Sequence, residues 1–317
     1  CCPHLPEYHR HSELKGMKAS RCSILILLAG LFISLSTSLY SWGFEAHKLI
    51  NRKAVELLPG SLGESFKNNI DFISEHSIDP DLWRMEGNDP DEAHGHYIDA
   101  DLYEDFPFDG IPRDRKLAEE KFSEENLLAW GTAPWRIEEY VNRLADHLRS
   151  GNWEDVPLTA AVLGHYVSDI HMPLHVVENY NGQLSGNTGI HKRWEADMVN
   201  RYLLGAIYPK GVLNNYNDPV EMAFTIVKES YPLHFELLRA DSLARSGLTN
   251  EQQDLIPNRD ASMNGTGYIE ILYSETGQIA KKRMEDAAVR VASYWIMAWE
   301  AAGSPLPLIQ YSKDNKR

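Results

Sequence analysis

The segment from His165 to Glu195 holds five side chains that could bind metal ions, at spacings typical of helices. His165 and Asp169 are four residues apart, as are His191 and Glu195, and residues four apart share one face of an α-helix. Each pair could therefore hold a cation, and His175 lies between the two pairs. Imidazole and carboxylate ligands without a thiol favour zinc or a similar divalent metal. We expect this segment to fold around a buried cluster of cations.

Apolar residues recur at helical spacing along most of the chain, whereas strand-like alternation is scarce. His47, His165 and Asp169 lie on apolar stripes and should point inward, while His171 is two residues away and is interpreted as structural. A buried carboxylate without a partner is costly, so Asp169 should contact a metal or a basic group. We predict an all-α fold in a single multi-helix domain. The predicted helices are Gly43–Leu58, Pro134–Leu148, Pro157–His171, Ile190–Leu204, Val220–Leu238 and Tyr268–Ala302, with irregular segments at 78–112 and 177–189.

The N-terminal region has the features of a secretory signal peptide. Met17 is followed by the basic residues Lys18 and Arg21 and then by the apolar stretch Ile24–Leu35. This stretch is shorter than the about 20 residues that span a bilayer, which favours a cleaved signal over a membrane anchor. We therefore expect residues 17–41 to be removed and the protein to be exported, either to the periplasm or out of the cell.

Cleavage before Trp42 would leave a mature domain of residues 42–317, and residues 1–16 are interpreted as an upstream translation artefact. The full sequence carries a net charge of −15; removing the first 41 residues takes away four basic and two acidic side chains and leaves −17. This acidic balance argues against binding to polyanions through a basic surface, so a phosphate substrate would need bound cations. The mature domain would also lack disulfides, because all the cysteines precede the cleavage site: Cys1, Cys2 and Cys22.

A second set of possible ligands lies in the irregular segment 78–112. The residue types alone do not decide among its members, and a solvated acidic loop is the ordinary alternative, which we accept for Asp101. The candidates are Asp79, Asp81, His94, His96, Asp99 and Asp101.

The predicted mature N-terminus adds a further ligand. An α-amino group has a pKa of about 8 and can bind a metal once deprotonated, and the run WGFEAH places His47 five residues after Trp42. This start, together with H-x3-D-x5-H and H-x3-E downstream, resembles the superfamily of zinc-dependent single-strand-specific nucleases of fungi and plants and bacterial zinc-dependent phospholipases C. The resemblance extends over nearly all of residues 42–302. In that superfamily three zinc ions lie in an all-helical fold, and the mature N-terminal tryptophan is a ligand.

The resemblance implies three zinc ions in this chain and selects among the open candidates. Asp81 is chosen over Asp79 because Asp81-x2-Arg84 matches the nuclease pattern, and His96 is chosen over His94 because it begins the run HYID. The implied ligand sets are Asp81, His96, His165 and Asp169 for the first ion; Trp42 (through its amino nitrogen and carbonyl oxygen), His47 and Asp169 for the second; and His175, His191 and Glu195 for the third.

The resemblance also implies catalytic roles. Asp81 would orient or deprotonate the water that attacks a phosphodiester, and the third zinc would stabilise charge on the departing oxygen. Arg84 would clamp the phosphate, with a surface salt bridge as its ordinary alternative. In the nucleases, an aromatic residue at the position of Tyr97 stacks on a base, and the carboxylate at the position of Asp99 accepts the hydrogen bonds of that base. Core packing is the ordinary alternative for Tyr97.

The choice of substrate rests on mixed features. The WGFEAH spacing, Asp81-x2-Arg84 and the HYID run resemble the nucleases, whereas Glu195, a short loop between His175 and His191 and the lack of disulfides resemble the phospholipases. We predict an endonuclease or 3′-nucleotidase acting on single-stranded nucleic acid or nucleotides. The alternatives are a phospholipase C acting on glycerophospholipid head groups and a non-catalytic secreted zinc-binding domain. We expect a monomer, and no protein partner is evident from the sequence.

Overall fold

The computed structural model describes residues 43–87, 91–213, 218–256, 263 and 265–307, and within these ranges the regular elements are all helical. This confirms the predicted all-α fold. Two short 3₁₀ turns, at Ala93–His96 and Pro173–His175, and a π-helix at Arg193–Met198 accompany the α-helices. The α-helices are α1 Phe44–Leu57, α2 Gly60–Lys67, α3 Ile70–His76, α4 Asp79–Glu86, α5 Ala100–Tyr103, α6 Arg115–Phe122, α7 Glu124–Trp130, α8 Ala133–Ser150, α9 Val156–Asp169, α10 Ile190–Lys192, α11 Val199–Tyr202, α12 Pro219–Ser230, α13 Leu233–Ser246, α14 Asn250–Gln253 and α15 Tyr268–Ala301.

Helix α9 lies at the centre of the molecule. It is apolar on nearly all sides, which is typical of a helix covered by other helices, and it packs against α1, α3, α8 and α15. It approaches α1 closely at Gly164, where a Cβ atom would lie 2.0 Å from Asn51 Oδ1. The absence of a side chain at Gly164 therefore sets the distance between the two helices that carry His47 and His165.

The long helix α15 forms the other major wall of the core. It contacts α1, α8, α9 and α13, and the indole Nε1 of Trp295 donates to the Ala160 carbonyl of α9 at 2.9 Å. Small residues such as Ala287 and Ala288 are buried on it and allow neighbouring helices to approach closely. The predicted bounds, Tyr268–Ala302, agree with this helix to within one residue.

The structure corrects two sequence predictions. The predicted helix Val220–Leu238 is wrong as one element, because α12 ends at Ser230 and α13 begins at Leu233. Pro232 has no amide hydrogen with which to continue the first helix. The segment 78–112 is not irregular throughout, since α4, a 3₁₀ turn and α5 lie in it.

The predicted signal peptide and upstream residues lie outside the described residues, as does Trp42. Among the helices of the described ranges, none combines the length and the apolar character needed to cross a bilayer.

Candidate metal centre

Three helices bring imidazole and carboxylate groups together in the core. Helix α9 contributes His165 and Asp169 one turn apart, α1 contributes His47, α4 contributes Asp81, and all four side chains are buried. The His47 and His165 rings stack with their centroids 4.1 Å apart. Ligand atoms of His47, Asp81 and His165 lie within 4.8 Å of one another, close enough to bind one ion.

A second group shares His165 and adds His96, which ends a 3₁₀ turn. His96 Nδ1 lies 3.0 Å from Asp169 Oδ2 and 3.0 Å from His165 Nε2. The other oxygen of Asp169, Oδ1, lies 3.3 Å from His47 Nε2. Asp169 therefore reaches both groups and is placed to bridge two ions.

The third group is His175, His191 and Glu195. His191 and Glu195 lie one turn apart where α10 passes into the π-helix, and His175 faces them from its 3₁₀ turn. The two Nε2 atoms are 3.1 Å apart, and Glu195 Oε2 lies 3.2 Å from His191 Nε2 and 3.8 Å from His175 Nε2. This is the set of residues that the resemblance implied for the third ion.

The hydrogen bonds of these rings fit a cation. His175 Nδ1 lies 2.9 Å from the His96 carbonyl, and His191 Nδ1 lies 2.9 Å from the Tyr180 carbonyl. A carbonyl only accepts, so each Nδ1 carries the hydrogen and each Nε2 of a neutral ring presents a lone pair. Burial lowers the pKa of His175 to about 3, which keeps that ring neutral. In two neutral rings so arranged, the lone pairs of the two Nε2 atoms point at each other and repel. A cation between these atoms would bind both lone pairs and remove the repulsion.

The second group shows the same arrangement. The Ser77 carbonyl accepts from His165 Nδ1 at 2.8 Å, so His165 Nε2 points at His96 Nδ1 and Asp169. Burial lowers the pKa of His165, but the Asp169 and Asp81 carboxylates outweigh it and raise the pKa to about 9. Without a metal, a proton therefore occupies the position in which a cation would bind.

Two buried carboxylate oxygens also favour a bound cation. Asp81 Oδ2 and Glu195 Oε1 form no hydrogen bond with any described residue. Burial raises the pKa of Glu195 to about 7, whereas at Asp81 the effect of burial is outweighed by His165, Arg84 and His96, which lower the pKa. A divalent cation would compensate the cost of burying these groups. The donor atoms are imidazole nitrogens and carboxylate oxygens, which fits zinc.

His47 lies beside Asp169, the partner that the resemblance implied, and also beside Asp81 and His165. Trp42 lies outside the described residues, so its amino group stays a prediction.

Arg84 lies at the edge of the same site. Its Nη2 donates to Asp81 Oδ1 at 2.8 Å, and its side chain is only 16% exposed, so this contact is not a solvated surface salt bridge. One of its five N–H donors is used in this contact. His171 lies apart from the three groups: its Nδ1 donates to the Val167 carbonyl at 2.7 Å, as expected for a structural residue.

Tyr97 and Asp99 lie next to a group of acidic residues. Tyr97 donates to the Ala129 carbonyl at 3.1 Å and is partly buried. Burial raises the pKa of Asp99 to about 8, with further contributions from Asp101 and Glu178. Asp101 is not simply part of a solvated loop, because its Oδ1 accepts from the backbone amide of Glu178 at 2.9 Å.

This acidic group borders the third ligand group through Tyr180. The Tyr180 ring lies 5.9 Å from the His191 ring, and its hydroxyl is close enough to contribute to the raised pKa of Tyr97, after burial and Asp99. We define the acidic cluster as Tyr97, Asp99, Asp101, Glu178 and Tyr180.

Glu92, which no sequence pattern singled out, lies behind His96. Its Oε1 accepts a hydrogen bond from the Tyr166 hydroxyl at 2.5 Å and forms an ion-pair contact with His96 Nε2 at 3.3 Å. Burial would raise the pKa of Glu92, but the neighbouring His96 and the hydrogen bond from Tyr166 lower it, so the group stays ionised. The spacing Glu92-x3-His96 was the available signal, and it was hidden among the many acidic residues of the segment.

Comparison with known proteins bears on this arrangement. Residues 46–234, more than half of the chain, match the family model described as zinc dependent phospholipase C. The chain belongs to the zinc dependent phospholipase C family. No curated protein matches it.

Similar solved structures include an alpha toxin from Clostridium absonum. The similarity has 13% identity and a TM-score of 0.46, and it covers 82% of this chain. The chain spans 64% of the length of the toxin chain.

Membership in the zinc dependent phospholipase C family bears on three sequence predictions. It confirms the suspected family and supports zinc as the metal, although the number of ions stays a prediction. It also favours the phospholipase alternative. It does not confirm the nuclease and 3′-nucleotidase interpretation.

Proposed function

We propose that this protein is a zinc-dependent phosphodiester hydrolase that acts as a phospholipase C on phospholipids with a cationic head group. The observation that carries the choice of substrate is the acidic cluster beside the third ligand group, in a chain of the zinc dependent phospholipase C family. Such a cluster attracts an amine or trimethylammonium group, and aromatic rings add cation–π attraction. A nucleic acid would instead bring further phosphates towards the carboxylates of Asp101 and Glu178, which repel them.

An exposed aromatic surface next to this cluster supports a lipid substrate. Phe106 and Phe235 are 50% and 61% exposed, and the Phe106 ring stacks on Tyr231 at a centroid distance of 5.8 Å. After burial, the charge of Asp101 contributes most to raising the pKa of Tyr231, so this surface lies close to the acidic cluster. Exposed apolar side chains that cluster near a site favour contact with a lipid interface.

The residues of the site divide the work of phosphodiester cleavage. When bound, zinc supplies Lewis acidity that polarises the phosphate and lets water act as a nucleophile near neutral pH. Asp81 Oδ2 faces the site without a hydrogen-bond partner among the described residues and can accept the proton of the attacking water. Arg84 keeps Asp81 oriented and offers further N–H groups to the phosphate oxygens. His175, His191 and Glu195 would hold an ion that stabilises charge on the glycerol oxygen as its bond to phosphorus breaks. The cationic head group stays on the phosphate and would lie beside the acidic cluster.

We include in this proposal three zinc ions, with the α-amino group of Trp42 completing the set that contains His47, and export of residues 42–317 after removal of the signal peptide. The support is the three ligand groups, the position of His47 at their centre and the signal-like sequence before Trp42. Leaving a methionine before Trp42 should weaken the binding of one zinc ion and leave the third group loaded.

The decisive experiment compares substrates on the purified, zinc-loaded protein. We expect release of phosphocholine from phosphatidylcholine, no cleavage of single-stranded DNA or RNA, loss of activity with a chelator and recovery when zinc is added back. Glu195→Gln should lose activity, while Glu139→Gln, a change on an exposed face of α8, should keep it. Cleavage of nucleic acid without cleavage of lipid would contradict the proposal and support the nuclease interpretation instead.

A further inference from the structure

We propose that Glu92 is a positioning residue that fixes His96 as a metal ligand by pairing its carboxylate with the Nε2 side of the imidazole ring. This inference rests on the metal centre of the proposed function. It adds a residue that binds neither the metal nor the substrate.

Glu92 and His96 contact each other in the interior of the protein. Glu92 is only 3% exposed and His96 only 1%, and their closest polar atoms, Oε1 and Nε2, are 3.3 Å apart. The same oxygen accepts the Tyr166 hydroxyl at 2.5 Å. Because His96 Nδ1 faces Asp169 and His165, the ring has one nitrogen for the metal and one for Glu92.

His96 differs in this respect from three other rings of the centre. His165, His175 and His191 each donate their Nδ1–H to a backbone carbonyl. Those acceptors are neutral and are fixed by the main chain. His96 is instead paired with a carboxylate, whose negative charge makes the ring a stronger donor to a cation, and such outer partners typically change metal affinity 10–100-fold.

Several contacts hold the Glu92 carboxylate in place. Tyr166 is fully buried, and the Arg136 guanidinium lies over its ring at 6.0 Å. Arg136 Nη2 donates to the Asp91 carbonyl at 2.9 Å, which ties α8 to the residue before Glu92. At Gly95 a Cβ atom would lie 2.8 Å from Arg136 Nε and 3.3 Å from Tyr166 Cε1, so a larger residue there would displace the Arg136 side chain.

The test is Glu92→Gln, which keeps the size of the side chain and an acceptor oxygen but removes the charge. Glu139→Gln is the matched control, because Glu139 also contacts Arg136, at 3.1 Å, and is 40% exposed away from His96. Zinc affinity is measured by competition with a coloured chelator, and the ligand field by the absorption spectrum of the cobalt-substituted protein. Neither readout requires substrate.

We expect Glu92→Gln to bind one ion 10–100-fold more weakly, with an altered cobalt spectrum and with the remaining ions unaffected. Excess zinc should restore activity, which the loss of an essential catalytic group would not allow. Wild-type affinity and spectrum in Glu92→Gln would overturn the proposal. If Glu92→Gln fails to fold, Tyr166→Phe decides instead: a loss of affinity of threefold or more supports the inference, and no loss overturns it.

The outcomes separate this inference from the proposed function. Weaker zinc binding in Glu92→Gln together with no phosphatidylcholine hydrolysis by the wild type would keep the role of Glu92 and reject the substrate. Hydrolysis of phosphatidylcholine by the wild type with unchanged zinc binding in Glu92→Gln would keep the substrate and reject the role of Glu92.

Discussion

Replacing Gly164 by alanine tests whether the contact between α1 and α9 positions the metal centre. The added Cβ would lie 2.0 Å from Asn51 Oδ1 and 2.8 Å from Asn51 Cγ, far inside van der Waals contact. Asn51 is fully buried, and its Nδ2 donates to the His47 carbonyl at 3.0 Å. It cannot turn to solvent, so either this hydrogen bond breaks or the helices separate. Separation of the helices moves His47 relative to His165.

Two opposing effects set the change in the free energy of unfolding caused by Gly164→Ala. Alanine is favoured over glycine inside a helix by ~1 kcal/mol. Overpacking a well-filled core costs ~1–3 kcal/mol, and losing the Asn51 hydrogen bond adds ~1 kcal/mol. We therefore expect Gly164→Ala to lower the free energy of unfolding by ~1–3 kcal/mol, which in a domain of this size lowers Tm by about 2–4 °C per kcal/mol.

The measurement is thermal unfolding of the zinc-loaded protein, together with zinc affinity by chelator competition. Gly247→Ala is the control, because a Cβ there would meet Ile271 Cδ1 at an ordinary 3.6 Å. In an Asn51→Ala background, Gly164→Ala should cost little further stability. A Gly164→Ala protein as stable as the wild type, with unchanged zinc affinity, would refute the idea that this contact positions His47 and His165.

Three further predictions concern charge and metal. Asp99→Asn should raise KM for phosphatidylcholine above pH 8, where the wild-type carboxylate is ionised, and remove the fall in KM expected as pH rises from 7 to 9. Equal pH profiles would reject the binding of the head group by the acidic cluster. Arg84→Gln should lower kcat/KM by about 10–100-fold with zinc content unchanged, as expected for a lost charged contact to phosphate, and steady-state kinetics with metal analysis check this. The metal-free protein should lose Tm between pH 7 and 9, as followed by circular dichroism. The pKa of His165 is raised to about 9 because the Asp169 and Asp81 carboxylates outweigh burial, so its stabilising proton is fully present below pH ~6.5 and is lost as pH rises through 9. At lower pH the raised pKa of Glu195 and the lowered pKa of His175 change stability in opposite directions. A Tm that rises between pH 7 and 9 would contradict the role given to His165.

Part of the metal centre could be predicted from the local spacing of residues in the sequence. His165 with Asp169 and His191 with Glu195 are neighbours because they lie one helical turn apart, so the pattern alone places them together. The partners of His96 depend on tertiary contacts, since it meets Asp169 across 73 residues of chain. The residue types therefore left His94 and His96 equivalent until a family resemblance was used.

The same distinction explains the errors in the fold. Long helices with an apolar stripe, such as α9 and α15, were predicted to within about two residues at each end. The apolar stripe of α12 runs on into α13 despite Pro232, so periodicity alone joined them. Short helices such as α4 carry too few turns for a pattern to stand out, and their stability comes from packing.

The two oxygens of Asp169, which face different ligand groups, have a consequence for how the protein fills with metal. Two ions that share one carboxylate are not taken up independently, because the first changes both the charge and the freedom of the ligand that the second must use. Thermodynamic linkage makes this coupling equal in both directions. A titration should therefore show site-to-site dependence for these two ions and a separate, simple isotherm for the ion at His175, His191 and Glu195.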